Sequence, residues 1–304
     1  MSNDYEPIYS EDLVWRGLEV AEQYIPLDDL KLALERRGNY ILAMVDVFYS
    51  PRLTLTRADH HIREFNEVLN RFIAERPWTR FIDKDPEFRR GLHKAKLTKE
   101  PPEILSCILF DATNNLRAVL DQIGYASAIA ANRKSMLKAI KFPFGPTEEK
   151  WRNNLAGRSK DLPAEIRAIF EGFNAYKGGN DPLWATNEIA NANKHFALKG
   201  LLLTQPDAFF TVRIKTPHEI EEIVSPGGAG IGWNFGKNEI TLFTAPSGAD
   251  TEENINITAS VAIDGIQIQG CDTAPAFLQA ARNEVERVLM ATEAECRRLG
   301  FQCD

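Results

Sequence analysis

The stretch that decides the fold is Pro101–Asn132, PPEILSCILFDATNNLRAVLDQIGYASAIAAN. It begins with a double proline and keeps helical apolar spacing almost throughout. The apolar side chains that recur at this spacing are Leu105, Ile108, Leu109, Ala112, Leu116, Val119, Ile123, Ala126 and Ala130. Residues three and four apart share one face of a helix, so the pattern predicts a long helix with a wide apolar stripe.

Polar side chains lie nearly opposite this stripe, at Asn114, Arg117 and Asp121. Apolar residues occur on or beside the same side, including Phe110 and Ala118. A helix with apolar residues on both sides is typical of one sandwiched between other helices. Buried charges need partners. Because Arg117 and Asp121 are four residues apart, they can pair with each other.

A second helix with polar residues is predicted over Leu183–Leu198, where Asp181 can cap the start and Pro182 can be the first residue. Four of its side chains stack on one face, with Asn187 and Lys194 beside them: Trp184, Glu188, Asn191 and His195. Asparagine is a poor residue for the interior of a helix, so plain solvent exposure explains the pattern badly. A hydrogen-bonded polar seam that fixes helix register and a functional site both remain open.

From Gln205 onward the sequence is rich in short β-type segments separated by Gly, Pro and Asn. The predicted fold class is α+β, mainly an α-helical bundle with a small antiparallel β insert before a C-terminal helix. The predicted organisation has three parts. They are a helical bundle at 1–205 with a helical extension at 1–50, the β insert at 206–270, and a C-terminal helix at 271–304 that packs on the bundle.

Composition narrows the classes of partner. The net charge of -7 argues against constitutive high-affinity nucleic-acid binding, although a local basic patch remains around Arg89–Lys96. No uncharged apolar run is long enough to span a bilayer, and the acidic N-terminus argues against a secretory signal. The four cysteines show no paired or metal-ligand spacing, which favours a reducing cytoplasm. No cofactor is predicted.

Four segments together resemble a large set of uncharacterised bacterial helical proteins. Those proteins share a "NLRsaLDh" helix, a following Phe-Pro-hydrophobic loop and a "pLw…lxNxDKHr.l" helix. The matching segments here are Asn115–Asp121, Phe142–Phe144, Pro182–Trp184 and Asn191–His195. The resemblance extends over roughly residues 57–200 and the C-terminal helix.

The chain departs from this pattern at two positions. Asn193 stands where an Asp usually precedes Lys-His, and Gln122 stands where His or Tyr often follows Leu-Asp. A mechanism that needs an acid at 193 or an imidazole at 122 is therefore in doubt. The chain is also distantly similar to HEPN helical domains, many of which are metal-independent ribonucleases. Their Arg and His, with four to six residues between them on one helix, have no helical counterpart here, so this similarity concerns the fold alone.

Two functional interpretations follow. In the first, the chain is a binding, scaffolding or defence-associated module, and the polar residues form a structural seam. In the second, it is a metal-independent ribonuclease or nucleotide-acting phosphodiesterase, with His195 as general acid/base oriented by Asp121 or Glu188. Arg117 and Lys194 would then hold a phosphate, helped by the backbone at Lys177–Asn180.

The phosphodiesterase interpretation makes His195, Asp121, Glu188 and Arg117 the catalytic candidates. The ligand-binding candidates are Asn114, Asn191, Lys194, Trp184 and Lys177. A divalent ion held by Asp121, Glu188 and His195 is a third and weaker alternative. Candidate partners are RNA, a nucleotide or a second copy of the chain, and no membrane partner is predicted. We prefer the structural seam, because buried polar networks are commoner than active sites.

Overall fold

The structure is a computed structural model that describes residues 46–85, 87, 89–132, 140–195, 200–203, 207–216, 220–225, 233–234, 236–258 and 260–303. The predicted helical extension at 1–50 therefore lies almost wholly outside the described residues. The chain divides into two compact units, one formed by Met1–Val47 with Cys303–Asp304 and the other by Phe48–Gln302.

The second unit is α+β, as predicted. Its described helices are α1 (Tyr49–Ala74), α2 (Ile104–Ala130), α3 (Glu148–Arg158), α4 (Ala164–Gly172), α5 (Asp181–His195) and α6 (Ala274–Arg298). Its described strands are β1 (Trp78–Asp85), β2 (Arg90–Leu97), β3 (Leu201–Leu203), β4 (Asp207–Lys215), β5 (Ile220–Ser225), β6 (Trp233–Asn234), β7 (Glu239–Pro246), β8 (Asp250–Thr258) and β9 (Val261–Ile263).

Helix α2 is the predicted central helix, and it packs against α1, α5 and α6. It begins just after the two prolines, and it ends where Asn132 takes a left-handed conformation with φ of 53°. Leu109, Leu116 and Ile123 are fully buried along the predicted stripe. Ala128, which lies away from that stripe, is fully buried as well. Burial on more than one side agrees with a helix that has neighbours on several faces.

Helix α6 packs against α1 and is also joined to it by an ion pair. Arg282 Nε donates to Asp59 Oδ1 at 2.9 Å, and the same guanidinium also contacts Glu286. The hydrogen bond to Asp59 raises the pKa of Arg282 further above its ordinary value. The C-terminal helix is thereby fixed to the helical layer by a charged contact between residues far apart in sequence.

The strands form three antiparallel sheets, with orders β1-β2-β7-β6, β5-β4-β8 and β3-β9. Two of the strands, β1 and β2, lie at residues 78–97, before the predicted insert. Strand β2 pairs with β7, which lies inside the insert. Side chains of the first two sheets share one apolar cluster, which includes Ala95 and Leu242 from one sheet and Val212 and Ile257 from the other. Such mutual coverage gives each sheet a buried face, as in a small sandwich.

A polar contact crosses between these two sheets. The His93 ring stacks on Phe243 with centroids 4.1 Å apart, and His93 Nδ1 lies 3.0 Å from Glu253 Oε1. The other oxygen of Glu253 accepts a hydrogen bond from Arg80 Nη1 at 2.5 Å. The Glu253 carboxylate therefore links β8 to both β1 and β2.

Candidate functional site

The centre of the candidate site is the ion pair between Arg117 and Asp121 on α2. Arg117 Nη1 donates to Asp121 Oδ2 at 3.2 Å, as their spacing of four residues predicts. The two side chains are 15% and 26% exposed, so the pair is largely withdrawn from water. A pair in this setting needs further hydrogen bonds to offset its desolvation, and both partners have them.

Asp121 uses its second oxygen to hold a loop. Its Oδ1 accepts a hydrogen bond from the backbone nitrogen of Phe142 at 3.2 Å. The Phe142 ring is fully buried and lies 4.9 Å from the ring of Phe170 and 5.1 Å from that of Phe144. The Arg117 guanidinium carbon lies 5.8 Å from the Phe144 ring centroid. One carboxylate therefore ties the Phe-Pro-Phe segment to α2.

Arg117 also reaches helix α5. Its Nε donates to Asn187 Oδ1 at 3.0 Å, and the Asn187 amide donates to Glu188 Oε1 at 3.5 Å. Asn187 is a buried polar residue at 9% exposure. An unpartnered amide there would be costly, so the contact with Arg117 stabilises the packing of α5 against α2. We call Arg117, Asp121 and Asn187, with the backbone N–H of Phe142, the polar seam.

The loop continues from the seam into a close backbone contact. Gly145 N donates to Ala175 O at 3.1 Å, and Gly145 forms a parallel bridge with Tyr176. A side chain at Gly145 would meet the backbone of Trp151, which is fully buried in α3. The segment from 140 to 145 is therefore held at one end by Asp121 and at the other by the turn that precedes α5.

The turn before α5 uses its backbone donors internally. Gly178 N donates to Asp181 Oδ1 at 2.6 Å, Gly179 N to Tyr176 O at 3.0 Å and Asn180 N to Asn174 O at 2.8 Å. The sequence suggested that this backbone could hold a phosphate. Because these three N–H groups already have acceptors, they are not free to bind one.

Trp184 and Lys177 meet each other and hydrogen-bond no member of the polar seam within the described part of the chain. Trp184 is 8% exposed, and the Lys177 ammonium lies 5.2 Å from its ring centroid. Trp184 Nε1 is buried without a hydrogen-bond partner among the described residues. Asn114 and Asn191 are half-buried on α2 and α5.

Two of the predicted site residues lie at the limit of what the structure describes. The backbone of Lys194 and His195 belongs to the last turn of α5, but their side chains lie outside the described residues. Whether His195 reaches Asp121 or Glu188 therefore stays a prediction. Among the described residues, no cluster of three or more His, Cys, Asp or Glu side chains could hold a metal ion.

Asn187 and the Phe142 N–H, which complete the seam, do not follow from the helical pattern. That pattern places Glu188 and Asn191 on the polar face and Asn187 beside them. The position of Asn187 in the interior of a helix was a usable signal. The Phe142 N–H carried no signal, because a backbone donor looks the same at every residue except proline.

A cavity lies at the start of α6, and none of the seam residues lines it. It has a volume of about 840 Å³, and its walls include Lys177, Asp181, Cys271 and Phe277. Burial, with the negative charges of Asp272 and Asp181, raises the pKa of the Cys271 thiol. The thiol therefore stays protonated at neutral pH and is a poor nucleophile.

No helix in the described part of the chain is both long and apolar enough to cross a bilayer. The chain matches no protein-family model, no curated protein and no solved structure.

Proposed function

We propose that the chain is a binding or scaffolding protein whose helices form a bundle, and that the polar seam serves its structure. The observation that supports this most is the use of both Asp121 oxygens inside the protein, one by Arg117 and one by the Phe142 backbone. Orienting a histidine would require a further lone pair of this carboxylate, and its two described hydrogen bonds go instead to α2 and to the 140–145 loop.

The environment of Arg117 supports the same proposal. Its guanidinium donates to Asp121 and Asn187 and lies over the Phe144 ring. A phosphate-binding arginine instead presents its donors to an open cleft. We therefore assign the residues of the NLRxxLD and Phe-Pro-Phe segments to positioning, with the 140–145 loop as the element that they position.

A hydrolysis assay tests the proposal against the phosphodiesterase alternative. Wild-type protein and His195→Ala are purified in parallel and incubated with single-stranded RNA, a cyclic dinucleotide and bis(p-nitrophenyl) phosphate, with and without Mg²⁺. We expect no turnover by wild-type protein above that of a mock purification.

Turnover by wild-type protein that disappears in His195→Ala would overturn the proposal, provided that the variant unfolds at the wild-type temperature. Turnover above the mock level that persists in His195→Ala would also overturn the proposal, because it would assign the reaction to other residues of the chain.

A further inference from the structure

A shallow groove lies on the outer side of the α1–α2 pair. Its volume is about 500 Å³. The residues that line it are Leu53, Thr54, Thr56, Arg57, His60, Arg63 and Asn115. All but Asn115 belong to α1, and none is a carboxylate. In an acidic chain, a groove lined by two arginines without an acid is a local concentration of positive charge.

The arginines of this groove differ from their neighbours in their pairing. Arg57 and Arg63 are exposed and form no ion pair with any described residue. Elsewhere on the helical layer, Arg52 lies 2.8 Å from Glu293, and Arg282 is held by Asp59. The charges of Arg57 and Arg63 are therefore available to a ligand, whereas those of Arg52 and Arg282 are neutralised within the protein.

The geometry of α1 arranges these residues along one strip of its surface. At about 100° per residue, Tyr49, Leu53, Arg57, His60 and Arg63 fall within an arc of about 120°. Tyr49 is 62% exposed and Leu53 is 55% exposed. The strip thus presents an aromatic and an aliphatic surface at one end and Arg57 and Arg63 at the other. Glu64 and Glu67 fall within the same arc of α1 but do not line the groove. The two arginines are separated by about 9 Å along the helix axis, at 1.5 Å per residue.

We propose that this strip binds single-stranded nucleic acid, with Arg57 and Arg63 on backbone phosphates and a base stacked on Tyr49. Unpaired cations beside an exposed aromatic ring are the combination that binds single strands without sequence preference. Asn115 and Thr54 can add hydrogen bonds to phosphate or sugar. The proposal goes beyond the binding function argued above, because it names the ligand class and uses none of the seam residues.

The small number of cations determines the affinity that we expect and its dependence on salt. Two phosphate contacts give weak binding that depends on salt, and the net charge of -7 opposes it further. This agrees with the composition, which argues against constitutive high-affinity binding. Each contact with a single strand contributes about 0.7 to the slope of log K against log salt.

Fluorescence anisotropy with a labelled single-stranded RNA of mixed sequence, titrated between 50 and 200 mM NaCl, tests the proposal. We expect the Arg57→Ala/Arg63→Ala variant to lose about 1.4 from the salt slope and at least about tenfold in affinity at the lowest salt. Tyr49→Ala should weaken binding about fivefold or more at every salt concentration, through lost stacking. All three side chains are exposed, so the variants should unfold like the wild type.

The matched control is Lys150→Ala/Arg158→Ala, which removes the same charge from exposed positions on α3. We expect it to keep the wild-type slope. Equal losses in both double variants would overturn the proposal, because they would reflect net charge alone. Absence of RNA binding at 50 mM salt would also overturn it, as would binding to anionic phosphatidylserine vesicles without binding to RNA. None of these results would change the unfolding behaviour expected of the seam variants, so the two proposals can fail separately.

Discussion

Replacing Asp121 with alanine should lower the free energy of unfolding by about 2–3 kcal/mol. The substitution leaves the Arg117 guanidinium, which is 15% exposed, without its carboxylate, and it leaves the Phe142 N–H without its acceptor. Breaking a fully buried pair costs about 3–5 kcal/mol, and the 26% exposure of Asp121 reduces this figure. In thermal unfolding, the loss corresponds to a fall in melting temperature of about 4–6 °C for a unit of this size.

The control for this experiment is Asp111→Ala. Asp111 lies on the same helix and is exposed. Its removal deletes the same chemical group, and we expect a change within about 0.5 kcal/mol. Urea denaturation of both variants gives the comparison. Wild-type stability in Asp121→Ala would mean that the seam contributes nothing to folding, and the structural interpretation would then be untenable.

Substituting Gly145 with alanine should be at least as damaging, with an expected loss of about 3 kcal/mol or more. A Cβ at this position would lie 2.6 Å from both Cα and Cβ of Trp151, and nearer still to its backbone nitrogen. The obstacle is backbone rather than a flexible side chain, so α3 or the 140–145 loop would have to move. Moving the loop would strain the backbone hydrogen bond from Gly145 to Ala175.

Gly157→Ala is a control for which we expect no loss of stability, or a gain. Gly157 lies in α3, and a Cβ there meets nothing within 4 Å. Because alanine is the better helix former, this change should leave stability unchanged or raise it by up to about 1 kcal/mol. Urea denaturation of the two variants measures both effects. A Gly145→Ala protein as stable as Gly157→Ala would show that the loop does not approach α3 as closely as described.

The parts of the fold that could be predicted from sequence are those set by local spacing. Helix α2 follows from apolar residues at helical spacing, and the Arg117–Asp121 pair follows from a separation of four residues. The pairing of β2 with β7 could not be predicted in this way. The two strands are far apart in sequence, and nothing in either one specifies its partner.

In the candidate site, too, contacts within one helix could be predicted from the sequence and contacts between elements could not. A helical wheel shows which residues of α5 are neighbours, but it does not show which one faces α2. The rotation of the helix is fixed by packing of buried residues such as Leu183, Ala185 and Ile189, and this packing brings Asn187 rather than Asn191 to Arg117. Hydrogen bonds to the backbone, such as that of Phe142, depend entirely on the tertiary structure.

The amide hydrogen exchange of Phe142 tests the structural role of the seam most directly, because its N–H is the donor that Asp121 holds. In wild-type protein we expect this amide to be protected. In Asp121→Ala its exchange should accelerate far more than that of amides in the middle of α2. Leu120→Ala removes a fully buried side chain and serves as a variant destabilised elsewhere. In Leu120→Ala, the exchange rates of the Phe142 amide and of the α2 amides should rise together. Unchanged protection of Phe142 in Asp121→Ala would contradict the account.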